Sequence, residues 1–417
     1  MQASFMRIRI IHRLIRMRIS VLSYACKNIV HIGSLATKAT QPGLHELGNQ
    51  RQKIYLSKTV LVGATRRIQI YKQTNCMKRI GNLYDEIISI DNLNLADSKA
   101  RKHKGKSYGV RIHDKNREAN ILALHESLKN GTFKTSPYHV FTIYEPKERL
   151  IFRLPYFPDR ILHHAIMNVL EPIWVSIFNK NTYSCIKKRG IHACAKNVRH
   201  ALKIDPDGTR YCLKIDIRKF YPSIDHSIMK MVIRRKIKDV RLLALLDEII
   251  DSASGVPIGN YLSQYFANLF LAYFDHWLKE EKRVKYYFRY ADDIVILAPN
   301  KEVLHGLLHE MRSYLCKMDL KVKRNYQVFP VDSRGIDFLG YVFFHSHTKL
   351  RKSIKKKLCR RVASLNKKKV VPTKEVYRQQ ICSWWGWCKY CNSINFVNQL
   401  SKKIPYEIKF VKAKRTL

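Results

Sequence analysis

The sequence predicts a mixed α/β fold. Short apolar runs ending on acidic residues read as buried strands. Longer runs with apolar residues every three or four positions read as helices. A content of 46% hydrophobic and 11% aromatic residues is enough to build a sizeable core. Along the 417 residues, Asn116 to Asn130 places Ile121, Leu122, Leu124 and Leu128 at helical spacing, with Gly131 where a helix would stop. Tyr138 to Tyr144 alternates like a strand, and Arg160 to Phe178 returns to helical spacing. Tyr211 to Asp216 is a short buried-strand pattern that ends in an acid. Asn260 to Lys279 reads as a long, mostly apolar, buried helix. Val284 to Ala298 reads as two strands around a tight turn at Ala291-Asp292-Asp293.

Charge narrows the function classes. Lys plus Arg number 78 and Asp plus Glu 32, a net charge of +46. A chain this basic needs a polyanion, and nucleic acid is the usual one. The apolar content argues against disorder, and no uncharged apolar run approaches the roughly 18 residues of a membrane span. The ten cysteines are irregularly spaced. Cys388 and Cys391 have the spacing of a zinc ligand pair, but no second pair follows, so reduced cysteines of a cytosolic protein are the better reading.

Residues 1–75 carry 13 Lys/Arg and one acid, Glu46, for a net +12. Such a segment can be a transit peptide, a basic RNA-binding arm, or an upstream stretch preceding a true start at Met77; the last is preferred. A second basic run, Lys349 to Lys369, holds eleven Lys/Arg in 21 residues and no acid. Ile354, Leu358, Val362 and Leu365 recur through it at helical spacing. The run therefore reads as a helix with one apolar stripe and a cationic remainder that contacts phosphates.

Two acidic strand ends carry the chemistry. The first is Lys214-Ile215-Asp216-Ile217-Arg218-Lys219-Phe220-Tyr221; the second is Tyr290-Ala291-Asp292-Asp293-Ile294-Val295. Carboxylates beside apolar strands are costly and repel one another. Divalent cations remove that cost, and two Mg²⁺ about 3.5–4 Å apart can drive an in-line displacement at phosphorus. A polar hairpin tip is the alternative reading of Asp292-Asp293 taken alone.

The surrounding boxes decide between them. Tyr290-Ala291-Asp292-Asp293 resembles the YxDD box of reverse transcriptases, and Asp216 with Tyr221 resembles their motif A. Gly259 to Asn268 resembles motif B, and Phe338-Leu339-Gly340-Tyr341 the primer-grip box. Arg149 to Pro155 with Asp159-Arg160, and Tyr183-Ser184 through His192, resemble two fingers blocks. These boxes run in order across about residues 77–400.

The resemblance implies a right-hand polymerase with fingers (77–210), palm (211–345) and helical thumb with a basic C-terminus (346–417), preceded by the basic extension 1–76. It implies that Asp216 and Asp292 bind two Mg²⁺ (Mn²⁺ is the alternative), with Asp293 supporting and Ile217 offering a backbone carbonyl. Tyr221 would lie under the incoming sugar and exclude a 2′-hydroxyl. Arg149 and Arg153 would be triphosphate ligands or else surface strand residues. Ile258, Gly259 and Gln264 of motif B would line the nucleotide site. The motif D general acid is left unassigned: Lys is missing near Tyr326-Gln327, and Lys321 and Lys323 are the substitutes. The cluster Trp384, Trp385, Trp387 and Tyr390 reads as thumb core more readily than as a base-stacking platform.

Motif B narrows the subfamily. Group II intron relatives usually have Gln-Gly-x-x-x-Ser-Pro, whereas this chain has Ile258-Gly259-Asn260-Tyr261-Leu262-Ser263-Gln264. That form resembles the reverse transcriptases of diversity-generating retroelements, as do Asn325 to Val331, Arg334 to Asp337 and Ser383 to Trp387. The resemblance implies template RNA, primer and dNTPs as partners, together with a small basic accessory protein. It implies errors at template adenines, and a cytoplasmic, bacterial or phage-encoded enzyme without a membrane. The alternatives are a faithful group II intron-like or defence-associated reverse transcriptase, and a non-catalytic RNA-binding protein on the same scaffold. Because residues 1–75 hold none of the boxes, a protein beginning at Met77 should extend primers as the full chain does. Activity lost on that truncation would instead mark the segment as an RNA-binding arm.

Overall fold

The structure is a computed structural model that describes residues 78–407, except 145–147, 369 and 371. The extension 1–76, with Cys26, Cys76 and the choice of start, lies outside the described residues. Helices α1 (Tyr84–Ile88), α2 (Ile90–Ala100), α3 (Tyr108–Lys115) and α4 (Arg117–Lys129) come first. Helix α4 buries Ile121, Leu124 and Leu128 and leaves Leu122 exposed; Gly131 follows it at φ +67°. Strands β1 (His139–Tyr144) and β2 (Glu148–Arg153) form an antiparallel hairpin. Helix α5 (Ile161–Ile177) is apolar on most of its circumference because α1 and α2 cover it on one side and α9, introduced below, on another.

The second layer is a five-stranded sheet of β3 (Thr182–Tyr183), β4 (Tyr211–Asp216), β5 (Tyr286–Tyr290), β6 (Asp293–Ala298) and β7 (Gln327–Pro330), in the order β3-β5-β6-β4-β7. Its pairings are antiparallel except β3 with β5. Successive residues of a strand face opposite sides, so Cys212, Phe288, Val295 and Leu297 share one face. Helix α6 (Ile191–Ile204) covers them with Cys194, Ala195, Val198 and Leu202. The segment expected to be fingers therefore supplies an edge strand and a covering helix to the five-stranded sheet. Tyr183, Cys194 and Val198 find their apolar partners there.

Between β4 and β5 lie α7 (His226–Arg234), α8 (Val240–Asp251), α9 (Tyr261–Phe270) and α10 (Ala272–His276). The long helix expected from Asn260 thus breaks near Leu271 and continues as a wider turn at Trp277–Glu281. Helix α11 (Lys301–Lys317) packs on β6 and β7, and the short α12 (Val331–Arg334) follows β7. A second antiparallel sheet, β8 (Ile336–Phe338), β9 (Tyr341–Phe343) and β10 (Thr348–Leu350), spans the expected palm–thumb boundary.

The segment expected to be thumb holds α13 (Lys352–Asn366), α14 (Lys374–Cys388) and α15 (Ile394–Ser401). In the basic helix α13, Leu358, Val362 and Leu365 are buried against Tyr377, Ile381 and Trp385, while Lys355, Lys356, Lys357 and Arg360 are exposed. Trp385 is core. Trp387 closes on Gly340 so tightly that a Cβ there would lie 2.5 Å from its ring. Cys388 and Cys391 are buried free thiols, as are Cys194 and Cys212, whereas Cys185, Cys316 and Cys382 are exposed. Among the described residues no helix is long and apolar enough to cross a membrane.

One carboxylate ties the first helix to α8. Asp239 Oδ1 caps α8 by accepting from Leu242 N at 3.2 Å, and its Oδ2 accepts from Leu83 N at 2.7 Å and Tyr84 N at 3.0 Å. Burial alone would raise its pKa, but these amides hold it below the usual carboxylate range. Asp239→Ala removes the cap and strands two amides, so urea unfolding should show a loss of about 2 kcal/mol. The folded pKa is the lower one. The gap to wild type should therefore be full at neutral pH and close as pH falls through the ordinary Asp range.

Candidate active site

The β4–β6 pairing builds the site. Asp216 lies directly opposite Asp293, and Tyr290 opposite Asp293 across the hairpin, so Ala291-Asp292 form a two-residue tip. Ala291 sits at φ +54°, where residues with a Cβ are rare. The strand ends thus bring Asp216, Asp292 and Asp293 to one corner of the sheet.

Burial pushes Asp292 up to about 6, with the neighbouring Asp216 charge adding to it. Burial raises Asp293 as well, opposed by Lys214. Asp216 Oδ1 is buried without a hydrogen-bond partner. Three partly dehydrated carboxylates with an orphaned oxygen suit a divalent cation. Among the described residues no three His, Cys, Asp or Glu side chains already stand as a chelating cluster. A Mg²⁺ ion takes one or two carboxylates and completes its shell with phosphates and water.

Of the two substitute lysines, Lys323 is the one that pairs with Asp216. Ile217 bridges Val322; Lys323 N donates to Asp216 O at 2.9 Å and Arg218 N to Lys321 O at 2.8 Å. This antiparallel contact aims Lys323 Nζ at Asp216 Oδ2, with which it forms an ion pair. The flanking bonds use Asp216 O and Arg218 N, so the Ile217 carbonyl points away from that segment.

Tyr221 is half-buried, and its backbone oxygen accepts from Val256 N at 2.9 Å. Burial pushes its hydroxyl up to about 12; the charges of Asp292 and Arg149 also reach it. The segment read as motif B is docked on the β1–β2 hairpin. Phe152 N donates to Ile258 O at 2.8 Å, and Gly259 at φ +127° lies so close that a Cβ would sit 2.5 Å from Phe152 O. Ser263 Oγ bonds Pro257 O at 2.6 Å, and Gln264 is the exposed residue of α9.

Arg149 and Arg153 part company. Arg149 is within electrostatic reach of Tyr221. Arg153 joins Lys104 and Arg160 on the wall of a separate cavity of about 640 Å³ between α3 and the end of β2. Burial and the charges of Arg160 and Arg153 depress the Lys104 ammonium, and burial and Arg153 depress Arg160.

Residues 145–343 match the family model described as reverse transcriptase (RNA-dependent DNA polymerase). The match covers just under half of the chain. The chain's fold is that of a right-hand polymerase. Protein YkfC of Escherichia coli K12 is 24% identical over 271 residues, 53% of this chain and 70% of that protein. The group II intron-encoded protein LtrA of Lactococcus lactis is 25% identical over 178 residues, 40% of this chain and 29% of LtrA. The solved apo telomerase of Candida tropicalis aligns at TM-score 0.42 and 11% identity, over 66% of this chain and 60% of that one.

Behind the tip lies a network that sequence reading missed. Arg289 and Asp275 are both fully buried. Arg289 Nε donates to Asp275 Oδ1 at 2.7 Å and its Nη2 to Oδ2 at 2.5 Å. The same guanidinium donates to Asn268 Oδ1 at 3.1 Å and to Ala291 O at 3.0 Å, directly bracing the strained turn. Thr182 Oγ1 and Tyr287 Oη complete the shell of Asp275 at 2.6 and 2.5 Å. A signal was present: opposite charges inside two segments that read as buried must find each other. Asp275→Asn strands a buried guanidinium and should cost about 3–5 kcal/mol in denaturant unfolding. A loss under about 1 kcal/mol would show that the pair does not sustain the hairpin.

Proposed function

We propose that the chain is an RNA-directed DNA polymerase that extends a primer along an RNA template, as the reverse transcriptase of a diversity-generating retroelement. One observation carries the polymerase reading: Asp216, Asp292 and Asp293 meet at one dehydrated corner, beside Tyr221. Asp216 and Asp292, with the Ile217 carbonyl, would hold the divalent ions, and Asp293 would support them. Ions bound there would neutralise charge on the transferring phosphoryl group and its leaving oxygen. Lys323 balances Asp216 until ions and substrate arrive and is then placed to give a proton to the pyrophosphate. Arg149 pairs with the triphosphate, and the Tyr221 ring takes the space of a 2′-hydroxyl. Gly259 permits the close seat of motif B, and Ile258 and Gln264 border the nascent pair.

Asp292→Asn should abolish cDNA synthesis, a loss of several kcal/mol in transition-state stabilisation. The folded pKa lies above the unfolded one, so the ionised carboxylate opposes folding at neutral pH. The variant without metal should therefore melt at or above wild type. Extension by the variant at near-normal rate would remove Asp292 from the mechanism.

The subfamily reading rests on Ile258 and Gln264. Ile258 is half-buried beside β2 and offers only apolar contact, where a Gln could hydrogen-bond the pair. Gln264 keeps a backbone amide early in α9 that a Pro would lack. One hydrogen bond is worth about 0.5–1.5 kcal/mol, or roughly 2- to 13-fold in discrimination. Wild type should misincorporate mainly opposite template adenine, and Ile258→Gln should lower that error several-fold in sequenced cDNA. A wild type without adenine bias would favour a faithful group II intron-like enzyme, the reading that the similarity to LtrA supports.

A further inference from the structure

A second cavity of about 640 Å³ opens where α6, the β9–β10 turn and the end of α14 meet. Lys196, Arg199 and Lys203 recur every three or four residues along α6, which places them on one face of that helix. Lys389 adds a cation from the thumb side, and no acidic residue lines the cavity. Helix α6 has no acid along its length. Arg199 Nε is buried and has no partner. Planar surfaces flank the charges: Tyr390 stacks on His192 with centroids 3.9 Å apart and planes 11° apart, and Phe344 stacks on His347 at 4.6 Å.

The Lys203 end of the cavity lies away from the catalytic corner. Helix α6 ends at Ile204, and the next residue, Asp205, accepts from Tyr286 Oη at 2.7 Å. Tyr286 pairs with Leu297, four residues along β6 from Asp293, which is roughly 13 Å of strand. A basic accessory protein would be repelled here, since like charges across an interface disfavour docking. Cations around an apolar, ring-walled hollow instead match phosphates with a base between them.

We propose that this cavity binds single-stranded RNA outside the catalytic cleft, with phosphates on Lys196, Arg199, Lys203 and Lys389 and a base against Tyr390. It would be a second anchor for the template RNA; this rests on the RNA-templated reading, but its test is a binding measurement that needs no catalysis. The probes are a short template–primer duplex and the same duplex carrying a long oligouridylate extension, each titrated with the full chain. In wild type the extension should tighten binding about tenfold at moderate salt. Lys196→Gln/Lys203→Gln/Lys389→Gln should abolish that gain and lower the salt slope by about 2, at roughly 0.7 for each single-strand phosphate contact. The short duplex should bind and extend as before. A control with the same charge change at the exposed Lys115, Lys129 and Lys317 should keep the gain. An unchanged gain in the cavity variant, an equal loss in the control, or loss of the short duplex would overturn the proposal. So would saturation by uridine monophosphate with no added affinity from the extension, which would identify a mononucleotide site.

Discussion

The buried Arg289–Asp275 pair is the constraint on which the catalytic corner depends. A charge removed from water survives only when its partners are fixed in place, and here they are fixed from three directions. Asp275 comes from α10, Asn268 from α9 and Thr182 from β3. The guanidinium then spends its last donor on the Ala291 carbonyl, at a backbone conformation that residues with a Cβ avoid. The strained tip that presents Asp292 is thus held by a cluster that cannot relax without exposing a naked charge. The two-residue strand β3 makes sense in the same terms: it delivers Thr182 to Asp275 and closes the sheet edge over Arg289.

In front of that network, the three carboxylates are arranged against their own stability. Burial raises Asp292 and Asp293, and Asp216 keeps an oxygen without a partner. Lys323 relieves only one side of Asp216. Polar groups left short of partners in this way mark a place kept ready for a ligand rather than optimised for folding. The contrast with Asp239, whose oxygens take three amide hydrogen bonds and whose pKa falls, shows what a carboxylate serving the fold looks like in the same protein.

Much of this was legible in the residues. Tyr211–Asp216 forms a strand with the bounds its buried-strand pattern predicted, and the Asp292-Asp293 turn joins two strands as expected. The apolar stripe of the basic helix is the face it buries. What escaped has identifiable causes. Strand β3 is too short for any periodicity. Lys323 reaches Asp216 only because Ile217 pairs with Val322 across the fold, a register that no local pattern encodes. Arg149 and Arg153 lie on one strand at a spacing of four, which puts them on one face. The environments that distinguish them, Tyr221 for one and Lys104 with Arg160 for the other, come from distant segments. Tyr390 belonged to a cluster read as thumb core, yet it alone of that cluster lines the cavity beside α6.

These features converge on template-directed DNA synthesis from RNA at the corner formed by β4 and β6. The most direct measurement is extension of a labelled DNA primer on a defined RNA template by the wild-type full chain, with Mg²⁺ and either dNTPs or NTPs. The account predicts template-length products with dNTPs, little extension with NTPs because on the proposed reading the Tyr221 ring takes the 2′ position, and none once the metal is chelated. Equal use of NTPs, extension in chelator, or no extension with Mg²⁺ or Mn²⁺ would contradict it.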